Sequence, residues 1–193
     1  MNRTTHPPAL RIGLLLPILA ALGMATAAEA DARRPVSAKI IPTKEQAVGP
    51  HGSVSGNVQV TFSDNTKEIW TKKSHCQFPL VSRDGSLVGW SHGEILKVQS
   101  SSLGGQFLGS NKLRVMRGEK VAADFTVATP IRHWRFSPDL KFVYIVDQGL
   151  HGPTTLSRGE IATGKIVESH NSFAEKLPAW ARSIADYDDP KPE

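Results

Sequence analysis

Histidine, acid and thiol groups stand close together at three places in the chain. His92-Gly93-Glu94 and the run from Asp147 to His151 bring metal-type ligands within a few residues of each other, and His75 adjoins Cys76. Neither of the first two has the regular spacing of a zinc site. The third pair suits a soft metal, but adjacent strand residues point to opposite faces. No GxSxG, Gly-rich phosphate loop or HExxH occurs, so no catalytic residue, metal site or cofactor is expected. A Ser-His-Asp triad needs only to meet in space, and nothing in the sequence points to one. The remaining chemistry is aromatic. Trp90 and Trp134 lie in strand-like runs, and Trp134 is flanked by His133 and Arg135. Over 131–137, alternation puts Ile131, His133, Arg135 and Ser137 on one face and Arg132, Trp134 and Phe136 on the other. Trp134 and Phe136 then serve as core, or the segment forms an aromatic-and-Arg binding surface of the kind enriched at interfaces. The candidate binding residues are therefore Trp90, His92, His133, Trp134, Arg135 and His151.

These residues must be positioned by strands. Val58, Val60 and Phe62 alternate with Gln59 and Thr61, reach the polar turn Ser63-Asp64-Asn65-Thr66, and return through 67–71. Period-two alternation places one set of side chains on a buried face. Four more hairpins follow. Residues 79–82 and 86–90 flank Arg83-Asp84-Gly85, and 113–116 and 121–125 flank 117–120. Residues 131–137 and 141–146 flank Pro138-Asp139, and 155–161 and 165–168 flank Ala162-Thr163-Gly164. Asp-Gly between apolar runs signals a hairpin because Gly accepts positive φ. Pro presets φ for the first turn position, and Asp tolerates the second.

The first four hairpins form a repeat. Sliding the chain by 55 residues superposes Val60 on Val115, Trp70 on Phe125, Ser82 on Ser137, Asp84 on Asp139, Val88 on Val143 and Trp90 on Ile145. Each unit is a pair of hairpins. The segments FSPDLKFVYIVD at 136–147, GEIATGKIV at 159–167 and SRDGSLVGW at 82–90 resemble blades of WD40-like β-propellers of the exported TolB-like kind. Leu140 stands where that pattern has Gly, and Arg83 where it has Pro. The resemblance covers 57–169. It implies an all-β fold of antiparallel hairpin repeats like propeller blades, packed as a sandwich or a partial propeller. A closed propeller has about four to eight blades, so two units and an extra hairpin leave sheet edges to be covered. A protein partner or self-association through those edges is expected.

The ends bound where the chain works. Arg3 and Arg11, an apolar stretch of 11 residues at 12–22, and Ala28-Glu29-Ala30 make residues 1–30 a signal peptide. Ala25-Thr26-Ala27 offers a second cleavage site. A spanning helix needs about 20 residues, so no membrane span is expected after cleavage, and the mature chain is exported, either periplasmic or secreted. Loss of Arg3, Arg11 and Glu29 lowers the net charge of +5 by one. The cations are scattered, so no nucleic-acid patch is read. Cys76 is the single cysteine and reads as a buried thiol. Residues 31–52 read as an extended lead-in with Ile40 and Ile41 docked on a sheet, 53–170 as the β-repeat domain, and 91–111 as a long connection in which 94–98 can add a strand. Segment 171–187 holds a short helix, either capped at Ser172 and Glu175 or opened by Pro178. It presents Phe173, Leu177, Trp180 and Ile184 on one face. Residues 188–193 read as a disordered tail.

These features suggest an exported binding or scaffolding module. The alternatives are a small metal-dependent or hydrolytic envelope enzyme using His92, Glu94, Asp147 or His151, and a structural domain that binds cell-wall polymer.

Overall fold

The computed structural model describes residues 33–43, 55–72, 74–97, 106–149 and 152–185. Packing divides the chain after Arg33, and every element below belongs to the unit Arg34–Glu193. The expected signal peptide and tail lie outside the described residues.

Among the described residues, eleven strands and one helix follow in order: β1 Pro35–Pro42, β2 Gly56–Phe62, β3 Lys67–Ile69, β4 Cys76–Val81, β5 Val88–Lys97, β6 Gln106–Arg117, β7 Lys120–Thr126, β8 Ile131–Phe136, β9 Phe142–Gln148, β10 Thr154–Glu160, β11 Lys165–Asn171 and α1 Ala179–Ala185. All pairings are antiparallel. The chain is therefore all-β with a short C-terminal helix, and all five predicted hairpins form. Strands β1 to β7 make a seven-stranded sheet, and β8 to β11 make a four-stranded one in simple up-and-down order. The larger sheet is nearly two. β2 pairs with β1 along its length and with β3 at three residues, but meets β4 only at Gly56–Cys76. From there β4, β5, β6 and β7 form a meander like that of β8 to β11.

Two cores sit where hairpins face each other. In the first, Val58, Val60 and Phe62 of β2 pack with Cys76, Val88 and Trp90. In the second, Leu113 and Val115 of β6 and Phe125 of β7 pack with Ile131 and Trp134 of β8 and Val143 and Ile145 of β9. These are the two units of the 55-residue repeat. Each unit joins one hairpin face to face with the next.

Close approach in the second core depends on two missing side chains. A Cβ on Gly89 of β5 would stand 2.5 Å from the Trp134 ring, and one on Gly159 of β10 would stand 2.5 Å from the Phe125 ring. Each sheet thus seats its large aromatic on a glycine of the other. Trp134 Nε1 also donates to the Phe78 carbonyl at 2.9 Å, so its polar atom is satisfied while the ring is buried.

The Ser-x-Asp turns are built alike. Ser82 Oγ donates to Asp84 Oδ1 at 2.7 Å and accepts from Leu87 N at 2.9 Å. Ser137 Oγ donates to Asp139 Oδ1 at 2.6 Å and accepts from Phe142 N at 3.0 Å. These bonds hold both carboxyls below the usual carboxylate range. The leading contributions are the Ser86 amide at Asp84 and the Ser137 hydroxyl at Asp139.

Three expectations are made more definite. The lead-in is a full strand: β1 pairs with β2 from Pro35 to Pro42, because Ala38 and Ile40 have apolar surface to cover on the first core. The long connection at 91–111 is mostly β5 and β6, paired out to Lys97 and Gln106. Its central residues lie outside those described. The helix starts after Pro178, whose carbonyl accepts from Arg182 N. Pro suits the first turn, where an amide would have no helical partner. Phe173 is 83% exposed, so Leu177, Trp180, Ala181, Ile184 and Ala185, without it, pack on Tyr144, Val146 and Leu156.

Candidate functional site

The sequence-predicted residues do not form one site. Trp90 and Trp134 are 3% exposed and belong to different cores. Pairing slips between Ile131 and His133, which turns Ile131 and Trp134 to the same face. Plain alternation had put them on opposite faces. His133 and Arg135 instead hold the helix end. His133 Nε2 lies 3.4 Å from the Ile184 carbonyl oxygen, and Arg135 donates to the Ser183 carbonyl at 2.6 Å. Arg135 also stacks over the Tyr144 ring at 5.7 Å. His151 lies outside the described residues. His92 and Asp147, both weighed as metal ligands, occupy equivalent places in separate units. Among the described residues, no three His, Cys, Asp or Glu side chains converge on a metal position.

Two depressions stand out among the described residues. The smaller, about 260 Å³, opens beside the first core and is lined by His75, Cys76, Trp90, His92 and Arg114, with Thr71 and Ser74 at its margin. Cys76 and His92 are direct cross-strand partners. Burial pushes the Cys76 thiol up to about 11, so it is protonated and unreactive at neutral pH. Burial first, then the nearby Arg114 cation, pushes His92 down. Its Nε2 is buried without a hydrogen-bond partner. Arg114 is committed to Asp124 through two bonds of 2.8 Å.

The larger depression, about 580 Å³, is a groove at the turn end of the second unit. Three turns wall it. The β6–β7 turn gives Arg117, Lys120, Val121 and Ala122, the β8–β9 turn gives Leu140 and Lys141, and the β10–β11 turn gives Glu160, Ile161 and Ala162. The floor is apolar, and Val121 is 51% exposed. Arg117, Lys120 and Lys141 ring it without an ion pair among the described residues. The single acid, Glu160, is occupied by the Thr163 hydroxyl at 2.7 Å. Leu140 holds φ at +56°, a left-handed conformation that costs a residue with a Cβ about 1–2 kcal/mol. Strain of this kind gathers at functional sites. The residue types alone hid this groove: its cations are spread from 117 to 141, and only the turn packing unites them.

β1 covers the edge of β2 that corresponds to the edge of β6 covered by β5. The turns Ser63–Thr66 and Ser82–Leu87 of the first unit correspond by the 55-residue shift to two of the three turns of the groove. Arg34 and Pro35 lie between them. Ser63 N donates to the Arg34 carbonyl at 2.9 Å, and Arg34 N donates to Ser63 Oγ at 3.2 Å. A Cβ on Gly85, the counterpart of Leu140, would stand 2.6 Å from the Pro35 carbonyl.

No protein-family model and no curated protein sequence matches the chain. Among solved structures it is similar to hydrazine synthase from Kuenenia stuttgartiensis, at 15% identity and a TM-score of 0.43 over 65% of this chain. It is also similar to a structure described as the eukaryotic initiation factor, at 11% identity and a TM-score of 0.45 over 62% of this chain. The matches span 36% and 28% of those chains, so this chain corresponds to about a third of either. Both are distant structural neighbours, and neither assigns a family.

Proposed function

We propose that this chain is an exported binding module of the bacterial envelope, built from degenerate WD40-like repeats of the TolB-like kind, that holds a protein partner. The observation that carries this reading is the open groove at the turn end of the second unit. It combines an apolar floor, a strained Leu140 and three cations that form no ion pair among the described residues, the mixture by which a surface recognises a peptide rather than a small apolar ligand. The export assignment rests on residues 1–30, and the family resemblance on the Ser-x-Asp hairpins. The buried Trp134 belongs to the core against which Leu140 of the groove packs, while Trp90 belongs to the first core, and neither contacts the partner.

The test is crosslinking and affinity capture of the tagged mature protein from its native envelope, read by mass spectrometry. The reading expects one dominant partner, with crosslinks from Lys120 and Lys141. Self-crosslinks alone would replace it with a homo-oligomer that covers its own sheet edges.

A further inference from the structure

We propose that the free edge of β1 takes an extended segment of a partner protein as an added antiparallel strand, and that this segment alternates apolar and acidic residues. The edge shares no residue with the groove of the second unit. It adds a second contact to the binding-module reading.

The ladder β1–β2–β3 repeats the last three strands of the two meanders, β5–β6–β7 and β9–β10–β11. Ala38 and Ile40 of β1 stand opposite Val60 and Val58, as Gly89 and Ser91 of β5 stand opposite Val115 and Leu113. On their other side, Gly89 and Ser91 pair with Leu80 and Gln77 of β4. In the last meander, Tyr144 and Val146 of β9 pair with Arg135 and His133 of β8. β1 has no such neighbour among the described residues, and it packs against β4 without pairing with it. The first ladder therefore lacks the strand with which each meander begins.

The main chain shows which groups that leaves. The Val58 carbonyl accepts from Trp70 N, and the Val58 amide donates to Thr71 Oγ1, both on the β3 side. Residues directly opposite in an antiparallel ladder either exchange both bonds or turn them away from each other. Ile40 and Ala38 therefore turn their N–H and C=O groups to the free edge. Pro42 ends the stretch, because it has no N–H to offer.

Alternation fixes what an added strand carries. Its side chains beside Ala38 and Ile40 lie toward the first core, on which those two residues pack half-buried. The side chain between them stands beside Lys39, on the face that also carries Ser37, Gln59, Thr61, Lys67 and Ile69. That face holds two cations and no acid among the described residues. Glu68 lies on the other face, held by Trp70 Nε1. Asp64 and Asp84 lie in the turns beyond Pro35, where Asp64 accepts from Thr66, and Asp84 from Ser82 and Ser86. Opposite charges across a strand pair attract and like charges repel, so an acid suits the place beside Lys39. A second copy of the chain does not, because joining two β1 strands antiparallel puts both Lys39 side chains on one face.

The probe is a randomised peptide library displayed on phage and selected on the mature protein, with single-amide hydrogen exchange as the readout. In the protein alone, the Ala38 and Ile40 amides should exchange fast and the Lys39 amide slowly. Selected peptides should alternate apolar and acidic residues and slow the Ala38 and Ile40 amides by about tenfold or more. Ala38→Pro removes one edge donor without touching a bond to β2, and circular dichroism checks its fold. It should weaken binding about tenfold. Lys39→Glu, which keeps the backbone edge, should weaken it about threefold or more, and Lys67→Glu on the same face less than about twofold. Slow exchange of Ala38 and Ile40 in the protein alone would mean that the edge is already covered, and would overturn the proposal. So would peptides without acids, no enrichment, or affinity indifferent to both β1 variants. Peptides that lose affinity on Arg117→Glu/Lys141→Glu instead would also overturn it, and would leave the binding-module reading standing.

Discussion

The two units of the repeat share their framework and differ at both ends. At the turn end, the first is closed by Arg34 and Pro35, and the second is open. At the opposite end the order reverses. The first leaves a polar depression beside the paired Cys76 and His92. In the second the corresponding pair is Ile131 and Asp147, and Thr129 closes over it, its hydroxyl donating to Asp147 Oδ2 at 2.6 Å. His92 Nε2 and Asp147 Oδ1, at matching positions, are each buried without a hydrogen-bond partner among the described residues. The places beside Cys76–His92 and Ile131–Asp147 are equivalent by the 55-residue shift, and the second is closed by Thr129. The groove at the turn end of the second unit is larger than the depression beside Cys76 and is ringed by cations that form no ion pair among the described residues.

The comparison can be broken most severely at the aromatic seats. Trp134→Ala should cost about 4 kcal/mol, because it empties the second core and leaves the Phe78 carbonyl unpaired. Urea unfolding should show a larger loss than for Trp90→Ala, whose ring ends at a half-open junction. Exchanging the turn residues comes next. Gly85→Leu would drive a side chain into the Pro35 carbonyl and should cost about 3 kcal/mol, with β1 released from the sheet and its amides exchanging faster. The reverse exchange should be mild. Leu140→Gly relieves the left-handed strain but loses a half-buried side chain, whereas Leu140→Ala loses the side chain and keeps the strain. The glycine variant should be the more stable by about 1 kcal/mol, inverting the usual order of the two residues. Equal stabilities would remove strain from the description of the groove.

The smallest effect is one of pH. Burial holds the Asp147 carboxyl above its ordinary range. A raised folded value means that the linked stability is complete below the unfolded value, about 4, and is lost as pH rises through the folded one. Asp147→Asn removes that loss. The variant should therefore gain on wild type in urea midpoint as pH rises from about 4 toward neutrality, and the two should converge in acid. A constant gap would mean that the carboxyl titrates normally.

Much of the fold was legible in the sequence because it is written in local signals. Alternation at Val58, Val60 and Phe62 and the turn chemistry of Asp84-Gly85 and Pro138-Asp139 specify hairpins without reference to distant residues. The 55-residue shift also showed which side chains play equal parts. It could have shown more, since the same shift superposes His92 on Asp147 and Gly85 on Leu140. The lead-in was legible as extended chain docked at Ile40 and Ile41, but not as a strand from Pro35 to Pro42, because β1 owes its length to pairing with β2 and not to its own pattern. The faces of β8 were misassigned because the slip between Ile131 and His133 leaves no mark in residue type. The groove escaped for a related reason. Arg117, Lys120 and Lys141 are ordinary turn cations until three turns are packed together.

The central claim is that the turn end of the second unit is where a partner enters. A photo-crosslinking residue at Val121, compared with one at Val167 on the exposed edge of β11, tests it in the native envelope. The account predicts adducts with a single protein from Val121, and their loss when Arg117→Glu and Lys141→Glu are introduced. Adducts from Val167 with none from Val121 would contradict it and move the interface to the sheet edge.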